Sequence, residues 1–202
     1  MKLSYLVAPV AAVAMIAAPA PAAKQQSMLD RVETHLAQSS SMTANFTQTD
    51  GKGRSIGGTL SMKRPGKVRF DYGKQANMLM VGDGRELHFI DYEVGQKSTW
   101  KIKESPLAVL LDNKPNLDRI ARIVPTEDDR VVIVRARDAR RPEFGTLILA
   151  FTKTSSAPGG LQLAGWTAID AQNKRTQIQL SNQRYNVSVP DARFTYVEPT
   201  KR

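Results

Sequence analysis

The sequence has no cysteine and only two histidines, His35 and His88. A disulfide, a thiolate metal site and a lipid-modified cysteine are therefore all excluded. Two separated histidines match no metal-binding motif, and the acidic run Glu127–Asp129 sits beside Pro125 in a predicted turn, which is typical of a solvated loop. We predict that the protein uses neither a metal ion nor another cofactor.

Catalytic motifs are also scarce. The stretch Ser98-Thr-Trp-Lys101 matches the S-x-x-K motif of penicillin-binding enzymes, in which the serine and the lysine lie one turn apart on a helix. In this chain the motif falls in an alternating strand, where residues three apart point to opposite faces. We predict that the protein has no catalytic residues and is not an enzyme.

Aromatic residues make up only 6% of the chain, whereas basic residues outnumber acidic ones and give a net charge of +10. Nucleic-acid-binding proteins usually cluster their charge and place stacking aromatic residues among it. The basic residues of this chain instead alternate with apolar ones along predicted strands, so we predict no nucleic-acid partner. The surplus charge forms either a solvated basic surface or a surface attracted to anionic membranes or acidic partners.

A long apolar run occurs only near the amino terminus. Leu6–Ala18 follows the positive Lys2 and precedes small residues with the A-x-A pattern Ala20–Ala22. This order is typical of a secretory signal peptide, so residues 1–22 are predicted to be cleaved, leaving a single domain over residues 23–202. An uncleaved membrane anchor is the alternative, but the run is short and rich in alanine for one.

The spacing of apolar residues changes along the rest of the chain. After Ser27, a predicted helix cap, Leu29, Val32 and Leu36 recur at helical spacing. From Met42 onward the period is two, which is typical of half-buried strands separated by glycine-containing turns. The predicted strands cover residues 58–64, 68–72, 78–81, 86–90, 96–102, 130–137, 145–151, 161–169, 175–180 and 194–197.

One short helix is predicted to interrupt these strands. Ser105 as cap and Pro106 at the first helical position indicate its start, and Leu107, Leu110 and Leu111 supply its apolar face. The fold class is therefore mainly β, with a curved antiparallel sheet. Because one face of that sheet is apolar, the few helices must cover it.

The basic stretch MKRPGKVRFDY raises the question of where its charges point. Strict alternation along residues 58–64 places Arg64 on the apolar face, whereas Lys63, Lys67 and Arg69 face solvent. An arginine among apolar residues must find acceptors, and its five donors suit carbonyl groups or a carboxylate. Alternatively, the strand ends at Lys63 and Arg64 turns into water. The sequence leaves both arrangements open.

Three stretches resemble, in order, those of one protein family: GGTLSMKRPGKVRFDY (residues 57–72), MVGDGRELHFID (80–91) and SPLAVLL (105–111). The stretch IDAQNKRTQIQLSNQRYNVSVPDARFTY (169–196) is similar to the D-x-x-x-x-R-T hairpin and closing strand of the same family. On these motifs the chain resembles the LolA family of periplasmic outer-membrane lipoprotein carriers over nearly all of its predicted mature length.

The resemblance implies an incomplete antiparallel β-barrel whose apolar concave face is covered by a helical lid. It implies a monomeric periplasmic chaperone that accepts acylated lipoproteins from an inner-membrane ABC transporter and carries them to the outer membrane. An outer-membrane acceptor lipoprotein is a further partner, which some bacteria with this carrier lack. In the family, the arginine of the K-R-P turn bonds to the lid and holds the empty cavity closed, and that residue is Arg64 in this chain.

An acyl-chain cavity lined by apolar strand positions and by the short helix follows from this interpretation, although ordinary core packing is the alternative for each residue. Ser61 and Val68 stand where bulkier aromatic residues are usual in the family, which implies a softer cavity. The alternative function is a sensor or regulator of the same architecture that binds lipid or lipoprotein. The predicted lining residues are Phe46, Leu60, Met62, Val68, Phe70, Met78, Met80, Leu87, Phe89, Leu107, Leu110 and Leu111.

Overall fold

The structure is a computed structural model that describes residues 21–200, in which eleven strands form one antiparallel sheet. Its helices are α1 (Pro21–Gln38), α2 (Gly73–Ala76) and α3 (Ala108–Leu111). The strands are β1 (Ser41–Asp50), β2 (Ser55–Lys63), β3 (Lys67–Asp71), β4 (Met78–Asp83), β5 (Glu86–Asp91), β6 (Gln96–Lys101), β7 (Ala121–Val124), β8 (Val131–Ala136), β9 (Thr146–Lys153), β10 (Leu161–Ile169) and β11 (Arg175–Tyr185).

The order of the strands divides the sheet into two halves. One half runs β6-β5-β4-β3-β2-β1, the other runs β11-β10-β9-β8-β7, and the antiparallel pairing of β1 with β11 joins them. β6 and β7 are therefore the two edges of an open sheet, and residues 102–120, which include α3, connect one edge to the other. The predicted fold class, a mainly β protein built on a curved, open antiparallel sheet, is confirmed.

The main core lies on the face of the sheet that α1 and α3 cover, which we call the concave face. Strand residues such as Leu60 and Leu149 are almost inaccessible there, and they pack in one cluster with Val32 and Leu36 of α1 and Leu110 of α3. Successive side chains of a strand point to opposite sides of the sheet. The apolar residues that recur with a period of two in the sequence are therefore the ones on this face.

A second, smaller core lies on the opposite, convex face. Leu79, Val81 and Ile90 of β4 and β5 are buried there against Val189 and Phe194. The predicted strand over residues 194–197 is wrong, since the chain forms a short 3-10 helix, Asp191–Phe194, and then runs on without pairing to the sheet. Phe194 is apolar because it packs on the convex face of the sheet, and not because it belongs to a strand.

Polar side chains fasten the same carboxy-terminal segment. Arg69 was predicted to face solvent, but its Nη1 donates to the carbonyl of Thr195 at 3.0 Å and its Nη2 lies 3.2 Å from Asp71 Oδ2. Lys63 and Lys67 both form ion pairs with Asp191, at 2.7 and 3.1 Å. The prediction for Arg69 is therefore wrong, because the segment covers the polar side of β3.

Replacing Phe194 by alanine is expected to destabilise the protein by about 3–5 kcal/mol, because the buried ring holds the segment against β4 and β5. Urea unfolding followed by circular dichroism measures this loss. Val197→Ala is the control, because Val197 is 78% exposed and its loss is expected to change the free energy of unfolding by about 0.5 kcal/mol or less. Equal effects of the two substitutions would contradict the assignment of the second core.

Two predicted helix boundaries are also wrong. α1 begins at Pro21, so Ser27 lies inside the helix, because the alanine, lysine and glutamine residues before it favour helix continuation. α3 begins at Ala108, and the hydroxyl of Ser105 donates to the carbonyl of Ile102 at 2.9 Å instead of capping the helix.

The predicted signal peptide, residues 1–22, lies outside the described residues except for its last two. None of the helices in the described part has the length and apolar character of a membrane span.

Candidate functional site

Arg64 lies on the concave side at the point where β2 has ended. The strand stops at Lys63, yet Arg64 turns inward and only 9% of it is exposed. Its Nε donates to the carbonyl of Leu110 in α3 at 2.7 Å, and its Nη1 donates to the carbonyl of Ser39, which directly follows α1. One guanidinium group therefore connects the two helices that cover the concave face.

The backbone of the same turn adds two further contacts. The amide of Arg64 donates to the carbonyl of Ser40 at 2.8 Å, and the amide of Gly66 donates to the carbonyl of Leu111 at 2.9 Å. Gly66 has a φ of +75°, and a Cβ at this position would lie 2.7 Å from the backbone oxygen of Gly84. Glycine is needed here for its left-handed conformation and for the close approach of the two turns.

The electrostatics of Arg64 limit how firmly this arrangement is held. Burial lowers the pKa of the guanidinium to about 10, against which the negative charge of Asp112 acts weakly, so Arg64 stays protonated at neutral pH. Its Nη2 is buried without a hydrogen-bond partner among the described residues. A buried donor of this kind costs about 1–3 kcal/mol. The bridge between the helices thus combines strong hydrogen bonds with one buried donor that has no partner among the described residues.

His35 supports the acceptor side of the bridge. It is 1% exposed, its carbonyl accepts a hydrogen bond from the Ser39 hydroxyl at 2.6 Å, and its Nδ1 lies 2.9 Å from the carbonyl of Pro158. The ring packs edge-on against Phe151 and Tyr185. Sequence reasoning gave His35 no part in the site, although its position three residues after a buried valine of α1 indicates the apolar side of that helix.

The stability of the protein is expected to fall as the pH drops from 6.5 toward the lowered pKa of His35. Burial, and then the charge of Arg64, lower the pKa of His35 below its ordinary value of 6.5, so the unfolded state binds more protons than the folded state in this window. Stability contributed by neutral His35 is therefore present above pH 6.5 and is lost as the pH falls toward the lowered pKa. Chemical unfolding at several pH values measures the slope, which His35→Gln is expected to reduce. An unchanged slope in that variant would contradict the assignment.

All of the predicted cavity residues lie in the concave core. Met78, Met80, Phe89 and Leu107 are half-buried and pack against it. The others are almost inaccessible, so the structure brings the whole set together in one core. Their role in lining a cavity stays a prediction. These nearly inaccessible residues are Phe46, Leu60, Met62, Val68, Phe70, Leu87, Leu110 and Leu111.

Aromatic rings connect the two halves of the sheet within this core. The Phe70 ring packs edge-on against Phe46 at 5.2 Å between centroids and against Trp166 of β10 at 6.0 Å. Tyr72 also packs edge-on against Phe46, at 5.2 Å between centroids, and its hydroxyl donates to Gln48 Oε1 at 2.8 Å. Sequence reasoning did not include Tyr72 or Trp166, although both stand at apolar positions of alternating stretches.

A pocket of about 960 Å³ lies beside this core, between α3 and the turns that precede β3 and β5. Leu111 is the one predicted cavity residue that lines it, and Arg85, Glu86, Lys101 and Asp112 are among the charged residues around it. The pocket therefore combines charged side chains with apolar ones such as Ile102 and Ala108, next to the helix that Arg64 holds. Among the described residues, no group of three or more His, Cys, Asp or Glu side chains could hold a metal ion.

The fold and the site together define a class of protein in which an open, curved sheet keeps an apolar concave face under short helices. The profile of the family "Outer membrane lipoprotein carrier protein LolA" matches residues 37–197. The chain therefore belongs to the LolA family of outer membrane lipoprotein carrier proteins.

Several individual proteins are similar to this chain. The chain is 27% identical to the outer-membrane lipoprotein carrier protein of Chromobacterium violaceum, covering 95% of this chain and 93% of that one. It is 25% identical to the protein of the same name from Bordetella avium, with 97% and 95% covered. Among solved structures, the LolA superfamily protein NE2245 from Nitrosomonas europaea is 12% identical, with 85% of this chain and 97% of that chain covered and a TM-score of 0.46.

Proposed function

We propose that the protein is a periplasmic chaperone that takes up acylated lipoproteins, shields their acyl chains against its concave face and carries them to the outer membrane. The observation that carries this proposal is the continuous apolar core on that face, covered by α1 and α3 and bridged by Arg64. The names of the relatives, all outer-membrane lipoprotein carrier proteins, support the same role.

The chemistry of the cargo explains why a concave apolar face is needed. Burying one methylene group is worth about 0.8 kcal/mol, so an acyl chain does not cross water unaided. The half-buried Met78 and Met80 lie on the side of β4 that faces the concave core. Methionine side chains are flexible and polarisable, which suits contact with disordered chains.

The same face must also release its cargo. Because α1 and α3 cover the apolar core, uptake requires these helices to move and the bonds of Arg64 to Leu110 and Ser39 to break. That cost lowers the net affinity for acyl chains. Opening in turn hydrates the unpartnered Nη2 of Arg64, which offsets part of the cost. A binding site with this balance can pass its cargo on.

The proposed partners follow from this role. An inner-membrane lipoprotein-releasing ABC transporter supplies the cargo, and the outer membrane, with or without an acceptor lipoprotein, receives it. The net charge of +10 favours approach to anionic membranes or acidic protein surfaces on either side.

The proposal is tested by adding the purified protein to spheroplasts and analysing the supernatant by native mass spectrometry. The expected result is a complex with one acylated lipoprotein per protein molecule. A supernatant without added protein is the control, because lipoproteins shed spontaneously would appear there too. Release of free lipid alone would overturn the carrier role and favour the sensor, whereas release of nothing would contradict both.

A further inference from the structure

A separate pocket of about 400 Å³ opens on the convex face, where β1, β2 and β11 meet the carboxy-terminal segment. Arg184 of β11 and Arg193 of the 3-10 helix Asp191–Phe194 both line it. The remaining lining combines the apolar residues Ala44 and Leu60 with neutral polar residues, which are Thr43, Asn45, Thr59, Ser61 and Asn182. No carboxylate is among the residues that line the pocket, so its lining carries positive charge.

A break in the pairing of β1 with β11 shapes this pocket. Thr43 pairs with Arg184, but Asn45 pairs with Ser181, so β11 has one residue more than β1 between the two pairs. Asn182 lies in this bulge with a φ of +55°, a left-handed conformation that few residues other than glycine adopt. Bulges redirect side chains and are frequent beside functional sites.

The polar lining of the pocket includes one nearly buried residue. Ser61 is only 5% exposed. Neither Arg184 nor Arg193 forms an ion pair with a described residue. Asp191, the carboxylate nearest to Arg193 in the chain, is already paired with Lys63 and Lys67. Both arginine side chains are exposed, so an anion from solvent can reach them.

We propose that this convex pocket binds a phosphate-type oxyanion, held by Arg184 and Arg193 with hydroxyl and amide donors from the strands. The planar guanidinium group matches the oxygens of a phosphate, and hydrogen bonds between charged groups are the stronger ones. The phosphate belongs either to the headgroup of an anionic phospholipid or to a soluble molecule. The site opens on the convex side of the sheet and does not depend on the carriage of lipoproteins.

The test compares the intact protein with the double variant Arg184→Gln, Arg193→Gln. The matched control is Arg122→Gln, Arg135→Gln, which removes the same charge from two exposed arginines elsewhere on the convex face. Inorganic phosphate is titrated while amide NMR shifts are recorded, and flotation is measured with phosphatidylglycerol vesicles, using phosphatidylcholine vesicles as the neutral comparison. Amide spectra also report whether each variant is folded.

The expected result is an affinity about tenfold lower in the Arg184, Arg193 variant and unchanged in the control. Saturable shifts at Asn45 and Asn182 with inorganic phosphate, without vesicle flotation, would indicate a soluble phosphate. Flotation that needs phosphatidylglycerol and is lost with Arg184 and Arg193 would indicate a lipid headgroup. Equal losses of affinity in both double variants would mean that binding depends on the net charge of the protein, which would contradict the proposed site. The absence of any response to phosphate or to vesicles would contradict it as well.

Discussion

Replacing Arg64 by leucine is expected to yield a folded protein that binds lipoprotein but delivers it to outer-membrane vesicles about tenfold more slowly. The substitution removes the two side-chain hydrogen bonds to Leu110 and Ser39, each worth about 1.5–3 kcal/mol for a charged donor. The backbone contacts of the turn, including that of Gly66 with Leu111, remain. Because the empty closed state loses its stabilisation, the loaded open state is favoured and cargo is retained.

Transfer of a labelled lipoprotein from the purified complex measures this effect, and the amount of complex recovered serves as the binding readout. Arg135→Leu is the matched control, because it removes an exposed arginine from β8 and is expected to deliver normally. Arg64→Lys is expected to fall in between, since a single ammonium group cannot span both acceptors as a guanidinium does. Delivery by Arg64→Leu at the rate of the unchanged protein would contradict the role of Arg64 in closure.

Replacing Phe70 by alanine is expected to destabilise the protein by about 3–5 kcal/mol. Phe70 is 3% exposed, and its ring packs against Phe46 of β1 and Trp166 of β10, so its removal opens a cavity where the two halves of the sheet meet. A loss of this size is a large part of the 5–15 kcal/mol by which domains are typically stable. Urea unfolding monitored by tryptophan fluorescence measures it.

Phe144→Ala is the matched control for that experiment. Phe144 is half-buried at the end of a short loop helix, where its ring faces the guanidinium of Arg141 at 5.3 Å from the ring centroid. Its truncation is expected to cost about 1 kcal/mol or less. If both alanine variants unfolded at the same urea concentration, the aromatic cluster around Phe70 would not be the junction that the packing indicates.

Some features of the structure were predictable from the sequence alone. The strand predicted over residues 161–169 coincides with β10, because alternation of apolar and polar residues follows directly from the geometry of an extended chain. The same count placed Arg64 on the apolar face, and the structure has it buried there although β2 ends one residue earlier. The predicted cavity residues share one core for the same reason, since they were selected as residues on the apolar face of a strand or of the short helix.

The alternation of residues could not predict which distant groups these residues contact. Arg64 bonds to Leu110 and Ser39, which are 46 and 25 residues away in the chain, and no local pattern indicates which carbonyl groups will reach it. The strand predicted over 194–197 failed because burial on the face of a sheet gives an apolar residue the same appearance as burial within a strand. The convex pocket combines Arg184 with Arg193 across a bulge that the alternation does not reveal.

By itself, the sequence determined the mainly β class, the apolar face and the absence of cysteine chemistry, since these depend on composition and on the period of a strand. The tertiary structure decided which distant groups meet: the bridge of Arg64 between α1 and α3, the carboxy-terminal segment on the convex face and the positive pocket beneath it. The physical reason is that side-chain direction is a local property of the backbone. Contact between distant residues depends on the pairing, register and bulges of the whole sheet.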